Sequence, residues 1–538
     1  MIKLLKWLLL TICLTTAPLA IVAAEASTDA LEQAAELLKS RNFDDKTQAV
    51  ELLAADAGER AGAMLKALLN GDLYLLKKDK SLVIAGEKSD GGYPVSDAFS
   101  GESLGPLAKR QLKKITLNNN MRRQIRSALA VMNLRHPDAV KRLAAVNQML
   151  DRPSAEYALL VEPLLARESN AEVREAMEIV IALGHLTSEE KAARMAAVEA
   201  LDGNIHPAVR NGLKKLKQDT TDKAFAAEID QVLKRIDAKL QLYSVIENVF
   251  FGLSLGSVLV LAAIGLAITF GVMGVINMAH GELIMIGAYT TYVIQLLMPE
   301  HIGLSVIVAI PAAFLVSGLV GIAIERGVIR FLYGRSLETL LATFGISLIL
   351  QQTVRSIFSP LNRSVETPAW MSGTWEINSA LSLTMNRLYI ILFCLLVFAA
   401  LFFVLKKTAL GLQVRAVSQN RAMARAMGVR SEWVDALTFG LGSGIAGIAG
   451  VALSQLTNVG PNLGQAYIVD SFMVVVFGGV GNLWGTLISG MTLGVANKFL
   501  EPWAGAVLAK ILVLVFIILF IQKKPRGLFP QKGRAAEG

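Results

Sequence analysis

Residues 406–430 read KKTALGLQVRAVSQNRAMARAMGVR and lie between two long apolar runs. The stretch is rich in Ala, Met, Arg and Gln, which favour a short helix. Ser418 or Asn420 is a candidate cap for that helix, and Gly428 is a candidate stop. No acidic residue occurs in the stretch, and its cations are Lys406, Lys407, Arg415, Arg421, Arg425 and Arg430. Because positive charge collects in cytoplasmic loops, we predict a cytoplasmic loop that carries a surface helix.

The composition fits a membrane protein with a sizeable soluble part, since the chain has 538 residues and is 53% hydrophobic. Its net charge is +9, and much of the excess lies in short loops beside apolar runs. We therefore attribute the charge to membrane orientation rather than to a nucleic-acid partner. The two cysteines, Cys13 and Cys394, provide neither a disulfide framework nor a zinc site. No metal or cofactor site is predicted.

The N-terminus has the pattern of a secretion signal. Lys3 and Lys6 precede an apolar core that starts at Trp7, and small residues follow at Ala23 and Ala24. We predict a signal peptide over residues 1–24, with an uncleaved anchor helix as the alternative. In either case the next segment is sent across the membrane.

Residues 25–240 are predicted to form a soluble, mostly helical periplasmic domain. Apolar residues recur at helical spacing in three segments, which are Leu31–Leu38, Ala49–Ala54 and Ala61–Leu69. Two short β-rich runs, Leu73–Leu76 and Leu82–Ala85, flank a charged turn and predict a hairpin. Residues 90–94 form a further turn cluster.

The second half of this domain has a weak internal repeat. Helix starts near residues 136–140, 169–173 and 206–209 are spaced by about 33 to 36 residues, which resembles helical-hairpin repeats such as HEAT units. His136 and His206 precede prolines at two of these starts, where capping is favoured over metal binding. The domain has no nucleophile–base pair and no glycine-rich phosphate loop, so we predict a binding or scaffold module rather than an enzyme.

From residue 241 to residue 530 the chain is suited to a membrane. Its candidate spans, most of which are long enough to cross the hydrocarbon core, are Val245–Val272, Glu282–Met298, Ile302–Ile324, Leu337–Phe358, Leu388–Leu405, Trp433–Leu456 and Val507–Ile521. Cations fall on one side, at residues 326–335, in the 406–430 loop and towards the tail at 531–538. Three loops on the opposite side carry no Lys or Arg, and they are 299–301, 457–467 and 500–506. This asymmetry places the cationic loops in the cytoplasm.

A glycine-rich break interrupts the remaining apolar run, residues 468–499. The break reads GGVGN and covers Gly478–Asn482. Because residue 457 and the start of the last span must both lie outside, the run crosses twice or dips in and returns. Its halves, of about 10 to 16 residues, are short for full spans. We predict two half-membrane helices, whose irregular junction is tolerated only inside protein or beside a water-filled cavity.

A second irregular stretch, residues 270–282, reads FGVMGVINMAHGE and places polar residues between apolar runs. Broken helices in corresponding halves of a transporter point to its transport site. The candidate pathway residues are therefore Asn277, His280, Glu282, Gly478, Gly479, Gly481 and Asn482. For His280 and Glu282, a role as helix caps at the inner surface is the stronger alternative, because residues i and i+2 do not share a helix face.

Several blocks resemble the membrane permeases of ABC importers for branched-chain amino acids and urea. The order Asn-x-x-His-Gly-Glu at 277–282, followed by Gly287–Tyr289, is similar to the first block of that family, and residues 477–485 are similar to its late glycine block. The order Gly, Arg-Ala, Asn, Ala, Gly-Val between residues 411 and 429 resembles its coupling loop. The candidate ATPase-coupling residues are Gly411, Arg415, Ala416, Asn420, Ala422, Ala426 and Gly428.

The resemblance covers about residues 245–530 and implies an all-α, polytopic membrane permease with broken half-helices, preceded by a soluble, HEAT-like helical domain. Cytoplasmic ATPase subunits are the implied partners of the coupling loop. A second homologous permease subunit and a periplasmic solute-binding protein complete the assembly, with membrane lipid around the spans. ATP hydrolysis is assigned to the partners, because no Walker-type Gly-x-x-x-x-Gly-Lys-Ser/Thr sequence occurs in this chain.

The implied solute is small and either neutral or zwitterionic. An N-terminal extension is found on some urea-type members of the family, which favours urea uptake across the bacterial inner membrane as a nitrogen source. Branched-chain amino acids and short amides are the alternatives. A membrane-anchored periplasmic scaffold or sensor is a competing class, but an anchor needs only one span and no interrupted helices.

Overall fold

The computed structural model of the chain describes residues 31–40, 42–55, 59–86 and 92–529. The chain divides into two compact units, Met1–Lys239 and Leu240–Gly538, which we call the front unit and the membrane unit. The predicted signal peptide, the first residues of the predicted turn at 90–94 and the predicted tail at 531–538 lie outside the described residues.

The front unit begins with helices and an antiparallel sheet. The helices are α1, which includes residues 31–39, α2 (Phe43–Ala55) and α3 (Glu59–Asn70). The strands are β1 (Leu73–Leu76), β2 (Leu82–Ala85), β3 (Tyr93–Asp97), β4 (Ser103–Leu107) and β5 (Leu112–Lys114). They form one sheet in the order β4-β3-β2-β1-β5.

The predicted hairpin is confirmed, because β1 pairs with β2 and places Leu73 opposite Ile84. The other three strands lie outside the sequence prediction. They read YPVSD, SLGPL and LKK, and their proline, glycine and lysine residues remove the alternation that identifies a half-buried strand. The domain predicted as mostly helical therefore also contains a five-stranded sheet.

The second half of the front unit is a stack of helical hairpins. Its helices are α4 (Asn119–Asn133), α5 (Ala139–Leu150), α6 (Ala155–Leu165), α7 (Ala171–His185), α8 (Lys191–Ala200) and α9 (Pro207–Asp219). Helix α7 packs against α5 and α9 as well as against its neighbours α6 and α8, as successive hairpins do in a helical repeat. The predicted capping role of His206 is confirmed, because its Nδ1 accepts the backbone N–H of Ala208 at 3.2 Å. His136 accepts the backbone N–H of Asp138, and Asp138 itself caps α5.

A buried ion pair joins two of these hairpins. Arg142 on α5 donates from Nε and Nη2 to the carboxylate of Glu168, at 2.7 and 2.8 Å, and Glu168 is only 6% exposed. The hydrogen bonds from Arg142 are the main cause that lowers the pKa of Glu168 from 4.5 to about 2. The ionised form is thus favoured in the folded state. Its stabilising contribution is present above pH 4.5 and is lost as the pH falls towards 2.

Arg142→Met is expected to destabilise the front unit at neutral pH, because it removes the two hydrogen bonds that the carboxylate of Glu168 accepts from Arg142. The loss should shrink below pH 4, where the carboxyl group of the variant is protonated. Limited proteolysis of the full-length protein in detergent, in rising urea, measures the effect. Arg126→Met, at an exposed position of α4, is the matched control. Equal resistance of the two variants would contradict a stabilising role for the pair.

The membrane unit is a helical bundle. Its long helices are α10 (Lys223–Met273, which begins in the front unit), α11 (His280–Leu297), α12 (Ile302–Gly327), α13 (Ser336–Phe358), α14 (Met385–Lys407), α17 (Ser431–Ser454), α18 (Leu463–Gly478) and α19 (Leu483–Lys523). Two short helices, α15 (Ala409–Gln419) and α16 (Arg421–Ala426), lie between α14 and α17, and a hairpin of β6 (Thr374–Asn378) and β7 (Leu381–Thr384) lies between α13 and α14. Within the described residues, six helices are long and apolar enough to cross a membrane: α10, α12, α13, α14, α17 and α19. The predicted all-α, polytopic class is confirmed.

Helix α17 lies at the centre of this bundle, and small residues let its neighbours approach closely. A Cβ on Gly447 of α17 would meet the carbonyl oxygen of Ala313 on α12 at 2.5 Å, and Gly287 of α11 faces the same glycine. A Cβ on Gly442 would meet the carbonyl oxygen of Gly265 on α10 at 2.7 Å. Such backbone contacts replace the hydrophobic effect as the source of helix association in lipid.

The predicted break at Gly478–Asn482 separates α18 from α19, but the second arm is longer than predicted. Helix α18 has 16 residues, within the expected range. Helix α19 continues past Phe499 to a kink at Gly505, whose φ is 74°. The residues predicted as an outer loop, 500–506, lie within this helix, and Lys498 and Glu501 pair along it at 2.5 Å. The prediction of a half-membrane helix is therefore wrong for the second arm, which is long enough for a full span.

Candidate functional site

The backbone is not helical over residues 274–279, between α10 and α11. Gly274 has a φ of 67°, a conformation that glycine adopts without steric cost. The side-chain oxygen of Asn277 accepts the backbone N–H of Ala279 at 3.0 Å. The backbone N–H of Met278 donates to the hydroxyl of Thr343 on α13 at 3.1 Å. Side chains thus satisfy backbone groups of an unwound segment in which Val275, Asn277 and Ala279 are buried, as irregular backbone inside a bundle requires.

Glu282 lies in the first turn of α11 and is 1% exposed. Its Oε1 accepts a hydrogen bond from Ser347 at 3.0 Å and a second from Gln351 at 2.7 Å. Thr343, Ser347 and Gln351 follow one another at intervals of four, so they share one face of α13. This face and the unwound segment together form the α11–α13 polar cluster, which consists of Asn277, Glu282, Thr343, Ser347 and Gln351.

Two polar atoms of the cluster keep unused hydrogen-bonding capacity. Glu282 Oε2 and Asn277 Nδ2 are both buried, and neither has a hydrogen-bond partner among the described residues. Glu282 Oε2 is an acceptor in the ionised form, and Asn277 Nδ2 is a donor. Buried polar atoms are normally satisfied, so each of these two atoms is a candidate contact for a small polar molecule.

His280 is brought to a different place. Its side chain is fully buried, and its Nε2 lies 2.8 Å from the carbonyl oxygen of Ala262 on α10. The expectation that His280 and Glu282 do not share a helix face is confirmed. Neither side chain caps α11, whose N-cap is Ala279; they bond to α10 and α13 instead.

The glycine break makes contacts with the C-terminal segment and with α10. Leu528 and Phe529, after the end of α19, donate their backbone N–H groups to the carbonyls of Phe477 and Gly478, at 2.9 and 3.1 Å. Asn482 Nδ2 donates to the carbonyl of Phe529 at 3.3 Å. Gly481 adjoins Gly271 at the end of α10. The break is therefore a packing junction for the C-terminal segment.

Gly479→Ala tests this junction. Gly479 has a φ of 101°, and a Cβ there would meet the carbonyl oxygen of Phe529 at 2.6 Å. The strain of at least about 1 kcal/mol should displace the segment, increase trypsin cleavage after Arg526 and lower uptake. Gly345→Ala on α13 is the control, because a Cβ at Gly345 meets nothing within 4 Å. Equal uptake and equal cleavage in both variants would remove the junction from the transport mechanism.

Sequence reasoning did not identify the α13 side of the polar cluster. A signal was present, since Thr339, Thr343, Ser347 and Gln351 recur every four residues along an otherwise apolar span. All four are buried. A polar stripe of this kind on a membrane helix faces protein or a cavity and not lipid.

The 406–430 loop contains two helices rather than one. Asn420 separates them, and its side chain caps α16 by accepting the backbone N–H of Met423 at 2.9 Å. The predicted stop is confirmed at Gly428, whose φ is 85°. The predicted single helix from about Ser418 is therefore wrong at its start, because α15 continues through Gln419 before the cap.

The two faces of α16 have different surroundings. Ala424 is buried in an apolar cluster with Val414, Val417 and Val434. In contrast, Ala422 and Ala426 are exposed, as are the larger apolar residues Met423 and Met427, which are 61% and 78% exposed. Of the three alanines of α16, Ala424 therefore faces the permease, and Ala422 and Ala426 face outward.

Polar contacts attach this loop to the bundle. Arg421 at the start of α16 binds Asp435 on α17 in a bidentate pair, at 2.6 and 2.8 Å, and its guanidinium lies 4.1 Å from the ring centroid of Tyr333. At the other end, Gly411 packs against the backbone of Leu405 and Arg415 donates to the carbonyl of Leu405. Ala416 lies half-buried on α15 between these contacts. These contacts attach the loop to α14 and α17.

Comparison with known proteins places the membrane unit among transport permeases. Residues 248–521 match a family described as the permease component of branched-chain amino acid transport systems. The chain is 30% identical over 293 residues to the high-affinity branched-chain amino acid permease LivH of Salmonella typhimurium. This alignment covers 53% of this chain and 94% of LivH. It is 29% identical over 301 residues to BraD of Pseudomonas aeruginosa, and this alignment covers 54% of this chain and 96% of BraD. The ribose import permease RbsC of Escherichia coli is 24% identical to this chain over 293 residues, and this alignment covers 52% of this chain and 87% of RbsC. No solved structure matches the chain.

Proposed function

We propose a solute and a set of partners for this chain from one premise: it belongs to the family of branched-chain amino acid transport permeases. It is thus an ABC permease component and a multi-pass inner-membrane protein, not an enzyme of its own. We propose that it imports urea, and that the α11–α13 polar cluster contacts the solute during transport. The proposal rests chiefly on the two unpaired polar atoms of that cluster, one on Glu282 and one on Asn277.

Urea matches these atoms chemically. It is a small neutral molecule with one carbonyl acceptor and four N–H donors, so it can donate to the free carboxylate oxygen and accept from the free amide. Ser347 and Gln351 hold the other carboxylate oxygen and orient the group. The front unit distinguishes this chain from LivH and BraD, which match only about half of it while nearly their whole lengths are covered.

Branched-chain amino acids are the second candidate, favoured by the names of the relatives and by Arg355. This residue follows Gln351 by one turn of α13 and donates to Asn462 at 2.7 Å. A zwitterion could place its ammonium at Glu282 and its carboxylate at Arg355. Calorimetric titration of the cognate periplasmic binding protein with urea and with leucine separates the two. Binding of leucine and not urea would overturn the urea proposal.

The proposed partners follow from the surfaces of the membrane unit. A cytoplasmic ATPase subunit is proposed to receive the outer face of α16, where Met423 and Met427 are exposed beside small alanines. A second homologous permease completes the pore, and a periplasmic binding protein delivers the solute. The front unit is proposed to lie in the periplasm and to serve in docking.

Reporter fusions test the proposed orientation. We expect periplasmic signals from fusions near residues 120 and 460, and cytoplasmic signals near residues 332 and 418, because cations are concentrated around the last two positions. A cytoplasmic signal near residue 120 would overturn the arrangement.

A further inference from the structure

The front unit contains a pocket of about 300 Å³ between the end of α1, helix α2 and the edge strand β5. Its charged lining residues are all lysines: Lys39, Lys46, Lys113 and Lys114. Among the described residues, no carboxylate lines this pocket. The transport proposal makes no use of this pocket, which is built from residues outside the family match.

Lys46 is the most unusual member of this group. It is 5% exposed, although it carries a long charged side chain on α2. Its Nζ donates to the carbonyl of Thr116 at 3.2 Å and lies 5.1 Å from the ring centroid of Phe43. Within the described part of the chain it has no carboxylate partner. Because a buried charge is costly unless it is paired, a bound anion would stabilise the charged form of Lys46.

The neighbouring Lys113 further disfavours the charged form of Lys46. Burial, followed by the charge of Lys113, lowers the pKa of the Lys46 amine from its usual value. A bound anion would relieve both effects at once. Lys39 is less available, since it already pairs with Glu36.

The remaining walls decide which kind of anion fits. Leu38, Leu75 and Ile115 line the same pocket and are themselves buried. Phosphate or sulfate would use only the charged part of this lining. An organic acid with a short hydrocarbon chain would contact these apolar residues while its carboxylates bind the lysines. The volume of the pocket is at the lower end of the range for small-molecule sites.

We propose that this pocket binds a small organic dicarboxylate, with Lys46 and Lys113 each holding one carboxylate and the apolar wall contacting the chain between them. The front unit is then a ligand-binding domain and not only a docking scaffold. The site depends on neither the transported solute nor the coupling helix.

Titration calorimetry of the full-length protein in nanodiscs, with glutarate as the probe, tests the proposal. We expect one site for glutarate and weaker binding, by roughly ten-fold or more, in Lys46→Met and in Lys113→Met, because each loses a charge-assisted hydrogen bond. Lys78→Met, in the exposed turn between β1 and β2, should bind as the wild type does. Lys113 is exposed on an edge strand, so its variant stays informative even if Lys46→Met fails to fold.

Two further probes complete the test. Pentane-1,5-diol has a similar chain length without the charges and should not bind. Phosphate should bind more weakly than glutarate. The proposal is overturned if glutarate does not bind the wild type, if both lysine variants bind it unchanged, or if phosphate binds as tightly.

Discussion

Glu282→Gln is expected to lower solute uptake by roughly ten-fold or more while leaving the amount of protein in the membrane unchanged. Glutamine keeps an oxygen in the position that accepts from Ser347 and Gln351. It replaces the unpaired Oε2 with an N–H donor. If that oxygen accepts an N–H of the solute, the variant loses a hydrogen bond to a charged group, worth about 1.5–3 kcal/mol, and presents a donor to a donor.

The isosteric change separates a transport role from a structural one, because the contacts between α11 and α13 survive it. Initial rates of radiolabelled urea uptake, normalised to membrane protein, provide the measurement. Thr290→Val is the matched control on the same helix, since the Thr290 hydroxyl bonds only to its own helix at Ile286. Wild-type uptake by Glu282→Gln would show that the polar cluster only holds the helices together.

Ala426→Trp should detach the ATPase without unfolding the permease. Ala426 is exposed on the outer face of α16, so a bulky side chain there meets only a docked partner. Overpacking a tight contact costs about 1–3 kcal/mol, which weakens association by roughly ten-fold or more. We expect loss of ATPase copurification and of solute-stimulated ATP hydrolysis.

Ala424→Trp is the informative contrast, because Ala424 is buried against Val414, Val417 and Val434. This variant should lower the yield of folded permease. Arg430→Gln should be mild, since several other cations specify the same orientation. Normal coupling in Ala426→Trp together with uncoupling in Arg430→Gln would assign docking to a different surface.

Several spans were predictable from the sequence to within a few residues, but the starts of α10 and α19 were not. Helix α13 begins at Ser336, one residue before the predicted span, because the transition from cationic loop to apolar run is sharp there. The cap at Asn420 and the stop at Gly428 were also predictable, since both are determined by local backbone chemistry. Such features depend on neighbours along the chain.

Features that depend on which helices meet were not predictable in this way. Glu282 and Gln351 are separated by 69 positions, and only the packing of α11 against α13 brings them together. The glycine break looked like part of a pathway because its sequence resembles one. Its contact with Phe529 depends on where the C-terminal segment returns, which no local pattern records.

The most direct test of the account is ATP-dependent solute uptake into proteoliposomes that contain this permease, its partner permease, the ATPase subunits and the binding protein. The account predicts that labelled urea accumulates only with ATP, and that Glu282→Gln removes most of that accumulation. Accumulation of leucine but not of urea, or equal urea accumulation by the wild type and Glu282→Gln, would contradict it.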